Sequence, residues 1–181
     1  MTGIVRRVAV PPRRRRGIET GELVAAVAVC GGTVLASGLF AQRYSPAPVN
    51  PSVRRYWNRL EKPPFEPPDW AFGIWGPLYL MLTVSGVRVW TAPRGPARTR
   101  ALAHWFGIQA LDALWVYLGF GLRRRDAMTA ESVVTVANAA AYVEAARHVD
   151  RPAAWLGVPH LAWIGFAALL SEELWRRNRD R

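Results

Sequence analysis

Lysine is nearly missing from this sequence: Lys62 is the one lysine among 24 basic residues, and the rest are arginine. Cysteine is as scarce, with Cys30 alone. A lone cysteine excludes an intramolecular disulfide and any zinc site built from cysteines. The three histidines, His104, His148 and His160, are scattered over different segments, so no metal site is predicted. No segment alternates apolar and polar residues with period two, which excludes a membrane β-barrel. The sequence also lacks a nucleotide-binding loop, a paired nucleophile and base, and any motif of nucleic-acid binding. The formal charge of +11 is therefore not read as a nucleic-acid signal. It gathers at the ends of apolar stretches and in the N-terminal tail, where arginine meets anionic lipid head groups.

What is present is apolar length. Mean hydropathy over the whole chain is only +0.02, because the arginines dilute the average. Locally the picture differs. A run of about 18 or more mostly apolar residues crosses a bilayer core of roughly 30 Å as a helix. Spans are predicted near 23–41, 70–90, 102–122, 128–146 and 153–175. The first carries no charge, the second only Arg88 near its end, and the third only Asp112 near its middle. The fourth is the weakest, with Glu131 and Glu144 near its two ends. Arginine-bearing breaks separate the later spans. The fold class predicted is an all-α membrane protein, a multi-pass bundle of five transmembrane helices over 21–176. A soluble all-α domain is the competing reading, and the uncharged first run argues against it. Basic residues divide evenly between the two sides, so the positive-inside rule assigns no orientation.

The stretch 1–20 holds six arginines and adjacent prolines with no apolar face, and reads as a disordered basic tail. With 23–41 it also has the layout of a secretory signal, although the apolar run is longer than usual. A short basic tail is read at 177–181. The loop 42–69 carries Tyr56, Trp57, Phe65 and seven prolines. Proline lowers the entropy cost of ordering a loop. A stiff aromatic loop of this length is predicted to pack as a lid over the bundle.

Nine tryptophans are well above ordinary usage. Trp57, Trp70, Trp90, Trp105, Trp155 and Trp175 lie at or near span ends, where an interfacial aromatic belt explains them. Trp75, Trp115 and Trp163 lie deeper, and the belt does not explain those. Helical spacing gives each a companion set on its own face: Phe72, Trp75 and Tyr79; Gln109, Asp112 and Val116 beside Trp115; Pro159, His160, Trp163 and Ala167. Aromatics with isolated polar groups describe a pocket for a large flat ligand, held by stacking and oriented by a few hydrogen bonds.

Four motifs then align in order between Tyr56 and Trp175. Tyr56-Trp57 followed by Leu60-Glu61-Lys62-Pro63-Pro64-Phe65-Glu66-Pro67-Pro68-Asp69-Trp70 resembles the loop signature of the TspO/MBR family, the tryptophan-rich sensory and translocator proteins. Trp75-Gly76-Pro77-Leu78-Tyr79 resembles that family's W-x-x-L-Y. Asp112-Ala113-Leu114-Trp115 resembles its N-x-x-W, and Pro159-His160-Leu161-Ala162-Trp163 through Phe166-Ala167 its P-Y-x-x-W-x-x-F-A. Asp112 and His160 are departures, standing where the family usually has Asn and Tyr.

The resemblance implies a five-helix bundle, often a homodimer, embedded among membrane lipids. Its pocket under the first loop would bind porphyrins and other heme-like tetrapyrroles, with no cofactor required. A sterol is a further ligand of the family, but Leu174-Trp175-Arg176 lacks the tyrosine of the sterol-recognition pattern. Trp57 and Pro67 are expected in the lid, and Trp75, Tyr79, Asp112, Trp115, His160, Trp163 and Ala167 in the cavity. The function expected is that of a receptor or carrier. The alternatives are an enzyme degrading porphyrin in light and oxygen, and a transporter. Against transport stands the lack of any internal repeat.

Overall fold

The computed structural model describes residues 19–180, apart from the side chains of Asp69 and Phe72. The basic tail therefore falls almost wholly outside the described residues, as does the facing of Phe72. The described residues contain helices and no strand, so the all-α class holds. The helices are α1 (Thr20–Tyr44), α2 (Pro51–Arg59), α3 (Trp75–Trp90), α4 (Pro96–Val116), α5 (Arg125–Arg147) and α6 (Arg151–Asn178). A 3₁₀ turn, Asp69–Ile74, leads into α3, and a π-helical turn, Tyr117–Gly121, ends α4.

Local chemistry sets several of these boundaries. Pro77 has no N–H to give the Gly73 carbonyl, so regular α-helix begins only at Trp75, with Pro77 in the first turn. The span predicted from residue 70 is shortened for that reason. Pro51 and Pro96 open α2 and α4, where a missing donor costs nothing. Asp150 caps α6 by accepting the Ala153 N–H at 2.8 Å, and Arg88 at the end of α3 grips the same carboxylate at 2.9 and 3.0 Å. Burial alone would raise the Asp150 pKa; the Arg88 and Ala153 hydrogen bonds outweigh it and hold the carboxyl below its ordinary range.

The five long helices pack as a ring. In ring order, α1 touches α3, α3 touches α6, α6 touches α5, α5 touches α4, and α4 closes back on α1. One end of the ring is solid. There Cys30, Leu82, Val89, Trp105, Ala139 and Tyr142 are buried together. Small residues let the helices approach: Ala146, Ala153 and Ala154 are all buried, and Gly157 faces the Tyr142 ring. Tyr142 is hydrogen-bonded to Ser85, which also donates to the Ala153 carbonyl at 2.7 Å. The helices come close at Gly86, where an added Cβ would lie 2.5 Å from the Trp105 ring. Trp105 fills that gap completely and donates to the Leu82 carbonyl at 2.9 Å. It is a core residue and not a member of the belt predicted from its position. Trp70 and Trp155, at 81% and 73% exposed, do face outward.

The outside of the ring is apolar. Leu23, Val24, Val27, Leu35 and Leu39 of α1 are exposed, as are Leu80, Val133, Val134 and Leu169. A water-soluble surface does not carry so much contiguous apolar area. By length and hydropathy, α1 and α6 are the two described helices that could each cross a bilayer. The first turn of α4 bears Arg98, and Arg100 follows directly, while α5 carries Glu131 and Glu144, and these charges lower their averages.

Candidate functional site

The other end of the ring is hollow. Because successive long helices run in opposite directions, this end gathers the C-terminal part of α1, the start of α3, the end of α4, the start of α5 and the second half of α6. Between them lies a cavity of about 760 Å³. The segment after α1, residues Ser45 to Pro48, together with Arg54, Trp57 and Asn58 of α2 and then Pro67, forms its outer wall. The expected lid is thus partly helical. The nine-residue α2 buries Trp57 against Phe120, ring centres 5.5 Å apart, while Lys62 stands 3.5 Å over the Trp57 ring.

Two aromatic walls meet inside. On one, Trp75 stacks on Tyr79 at 5.5 Å and meets Trp163 edge-on at 6.1 Å, and Trp163 continues to Phe166 at 5.5 Å. On the other, Trp115 packs against Phe120 at 5.9 Å. The Trp115 indole N–H points to Ser132 Oγ at 3.0 Å and Ser171 Oγ at 3.1 Å, and those hydroxyls donate to the Met128 and Ala167 carbonyls. That ring is locked between α4, α5 and α6. The Trp163 indole nitrogen is buried and has no partner. The π-helical turn after α4 carries Phe120 onto Trp57 and Trp115, an example of a π-turn placed at a cavity.

Polar groups are few and deep. Asp112 lines the cavity, and its carboxylate accepts from His160 Nε2 at 3.0 Å. His160 Nδ1 has no partner, which fits a neutral imidazole whose one N–H points at Asp112. On α5, Glu131 is buried and hydrogen-bonded to Thr135, itself a lining residue.

Eight of the nine predicted residues, Trp57, Pro67, Trp75, Tyr79, Asp112, Trp115, Trp163 and Ala167, face this cavity. His160 does not. The cavity face of α6 runs Trp163, Ala167, Leu170 and Leu174, and His160 lies one turn beyond it, at the edge of the solid end and 1% exposed. It reaches the site through Asp112 and through ring contacts with Trp75 at 6.1 Å and Tyr79 at 6.4 Å. Sequence reasoning missed Phe120, Phe166, Ser132 and Thr135. Met128, Ser132 and Thr135 follow i, i+4, i+7 in α5, a polar stripe that could have been read as a cavity face.

A ring of helices with an apolar outside and an aromatic hollow at one end has the form of a membrane-embedded helical bundle. A profile of the TspO/MBR family matches residues 24–176. The chain is 35% identical to the translocator protein of Ovis aries over 130 residues, covering 70% of this chain and 77% of that one. It is 28% identical to the tryptophan-rich protein TspO of Chlorobaculum tepidum over 154 residues, 84% of this chain and 95% of the other. It is 31% identical to the tryptophan-rich sensory protein of Cereibacter sphaeroides over 127 residues, 70% and 78% of the two chains. The chain belongs to the TspO/MBR family of membrane proteins.

Proposed function

We propose that this protein is a multi-pass membrane receptor or carrier, with all five long helices crossing the bilayer, that binds porphyrins and related flat tetrapyrroles in its cavity. The observation that carries the reading is the shape and lining of that cavity. At about 760 Å³ it falls within the range of roughly 300–1,000 Å³ typical of small-molecule sites. Its walls are flat π-surfaces at right angles, Trp75 and Trp163, with Trp57 and Trp115 across from them. Such walls clasp a large conjugated ring from its faces and its edge, each pair worth about 0.5–1.5 kcal/mol beyond area burial. Loop residues close the outer side, so the ligand enters past α2 and the proline-rich segment.

The test is a spectral titration of the detergent-solubilised protein with protoporphyrin. Trp75→Ala and Trp163→Ala are each expected to weaken binding by roughly threefold to tenfold or more, from the stacking energy lost. Trp155→Ala, on the outer surface, should leave affinity unchanged. Equal losses at Trp155 and Trp163 would refute the assignment of the cavity.

A further inference from the structure

The inner end of the cavity has a charge pattern that stacking on a porphyrin does not use. Arg54 is the one basic side chain among its lining residues, and it stands on α2 at the outer wall. Lys62, beyond the wall, is paired with Glu66 at 2.6 Å. Inside, the titratable groups are acidic or neutral. Asp112 from α4 lines the cavity with its carboxylate held in place by His160 of α6. The second ring nitrogen of His160 is unpartnered, so its one N–H is the one directed at Asp112. An imidazolium would leave a buried N–H with nothing to accept it.

A second buried carboxyl is on α5: Glu131 lies on the stripe of that helix that supplies Met128, Ser132 and Thr135 to the wall. It is 7% exposed, and while one oxygen takes the Thr135 hydroxyl, Oε2 has no partner. Ionisable groups at membrane depth mark functional sites when they face a cavity. A carboxylate oxygen without a donor, behind a wall already bearing an oriented carboxylate, is an acceptor site lacking its donor. Trp75, Tyr79 and Trp163 line the same cavity, and aromatic faces attract cations as well.

We infer that the inner end of the cavity is a cation-accepting subsite, formed by Asp112 and Glu131, which selects flat hydrophobic ligands bearing a protonated nitrogen or outward N–H donors. The inference rests on the cavity being the ligand site and adds the chemical class that it prefers. A neutral hydrocarbon of equal size leaves both carboxyls unpaired. A closed macrocycle keeps its N–H groups turned inward, so it gains from stacking and little from this subsite.

Three probes separate the two claims: the aminoacridinium cation, neutral methylanthracene of similar outline, and protoporphyrin. All are titrated in a nonionic detergent against wild type, Asp112→Asn and Glu131→Gln, both near-isosteric changes. The cation is expected to bind wild type at least tenfold more tightly than the hydrocarbon. Asp112→Asn should remove most of that preference and Glu131→Gln part of it, with circular dichroism and the thermal unfolding midpoint showing that both variants are folded. Equal affinity of wild type for the cation and the hydrocarbon overturns the inference and leaves porphyrin binding standing. A cation preference unchanged in both variants also overturns it. Loss of the preference in folded variants of a protein whose wild type does not bind protoporphyrin supports the subsite while refuting the porphyrin reading.

Discussion

Asn178, at the end of α6, fastens the outer wall to the bundle. Its side chain is fully buried, and its amide pairs with the backbone of Glu61 in both directions: Oδ1 accepts the Glu61 N–H at 2.9 Å and Nδ2 donates to the Glu61 carbonyl at 3.0 Å. Its own carbonyl accepts from Arg125 at 2.6 Å, and Arg125 also donates to the Tyr56 hydroxyl at 3.0 Å. Asn178 is not part of the cavity lining, so changing it tests the closure and leaves the binding surface alone. Asn178→Ala removes two lid bonds, each worth about 0.5–1.5 kcal/mol net, so roughly 2 kcal/mol of closure is lost. Since about 1.4 kcal/mol is a factor of ten, the open fraction should rise about thirtyfold. A ligand that leaves past the lid then dissociates up to thirtyfold faster and, entering by the same path, associates faster too. Stopped-flow displacement of bound protoporphyrin reads this directly. Arg177→Ala is the control, because its contact with Glu61 at 3.7 Å is a partly exposed ion pair and is expected to alter the off-rate by less than threefold. An Asn178→Ala off-rate within twofold of wild type would show that the wall does not gate exit.

Two further predictions concern the solid end. Gly86→Ala should destabilise the bundle by about 1–3 kcal/mol, because its Cβ would strike the Trp105 ring; an unchanged thermal unfolding midpoint would mean that α3 can move aside. Asp150 is held below its ordinary pKa in the fold, so the stability it contributes is complete above its unfolded value of about 3.9 and is lost as pH falls through the lower folded value. Asp150→Asn is therefore expected to flatten the fall of the unfolding midpoint between about pH 5 and pH 2, and an acid slope identical to wild type would remove this carboxylate from the explanation.

The sequence carried the cavity's walls more clearly than its boundaries. Trp75 with Tyr79 and Trp163 with Ala167 are four residues apart, Trp115 follows Asp112 by three, and helix geometry alone brings such residues to one side. Trp105 was misread because the belt rule uses position along a span, whereas its burial depends on the absent side chain at Gly86, distant in sequence and on another helix. Helix α2 was hidden because proline breaks a helix in its interior but favours one at its first position, and Pro51 is followed by eight residues free of proline. His160 shares a face with Trp163, yet one turn along α6 separates hollow from solid. Glu131 was read as a charge near a span end, and only the packing of the helices around α5 shows it to be buried.

The central claim is that porphyrin occupies the interior of the bundle and not its apolar exterior or the surrounding detergent. Filling the interior tests this most directly. Ala167 lines the cavity midway along the α6 face, and replacing it with Trp puts an indole into that space while the outer surface stays as it is. Absorbance titration of wild type with protoporphyrin should saturate at one ligand per chain. With Ala167→Trp, folded by circular dichroism, the saturable component should vanish. The same saturable binding in both proteins would place the porphyrin elsewhere and contradict the account.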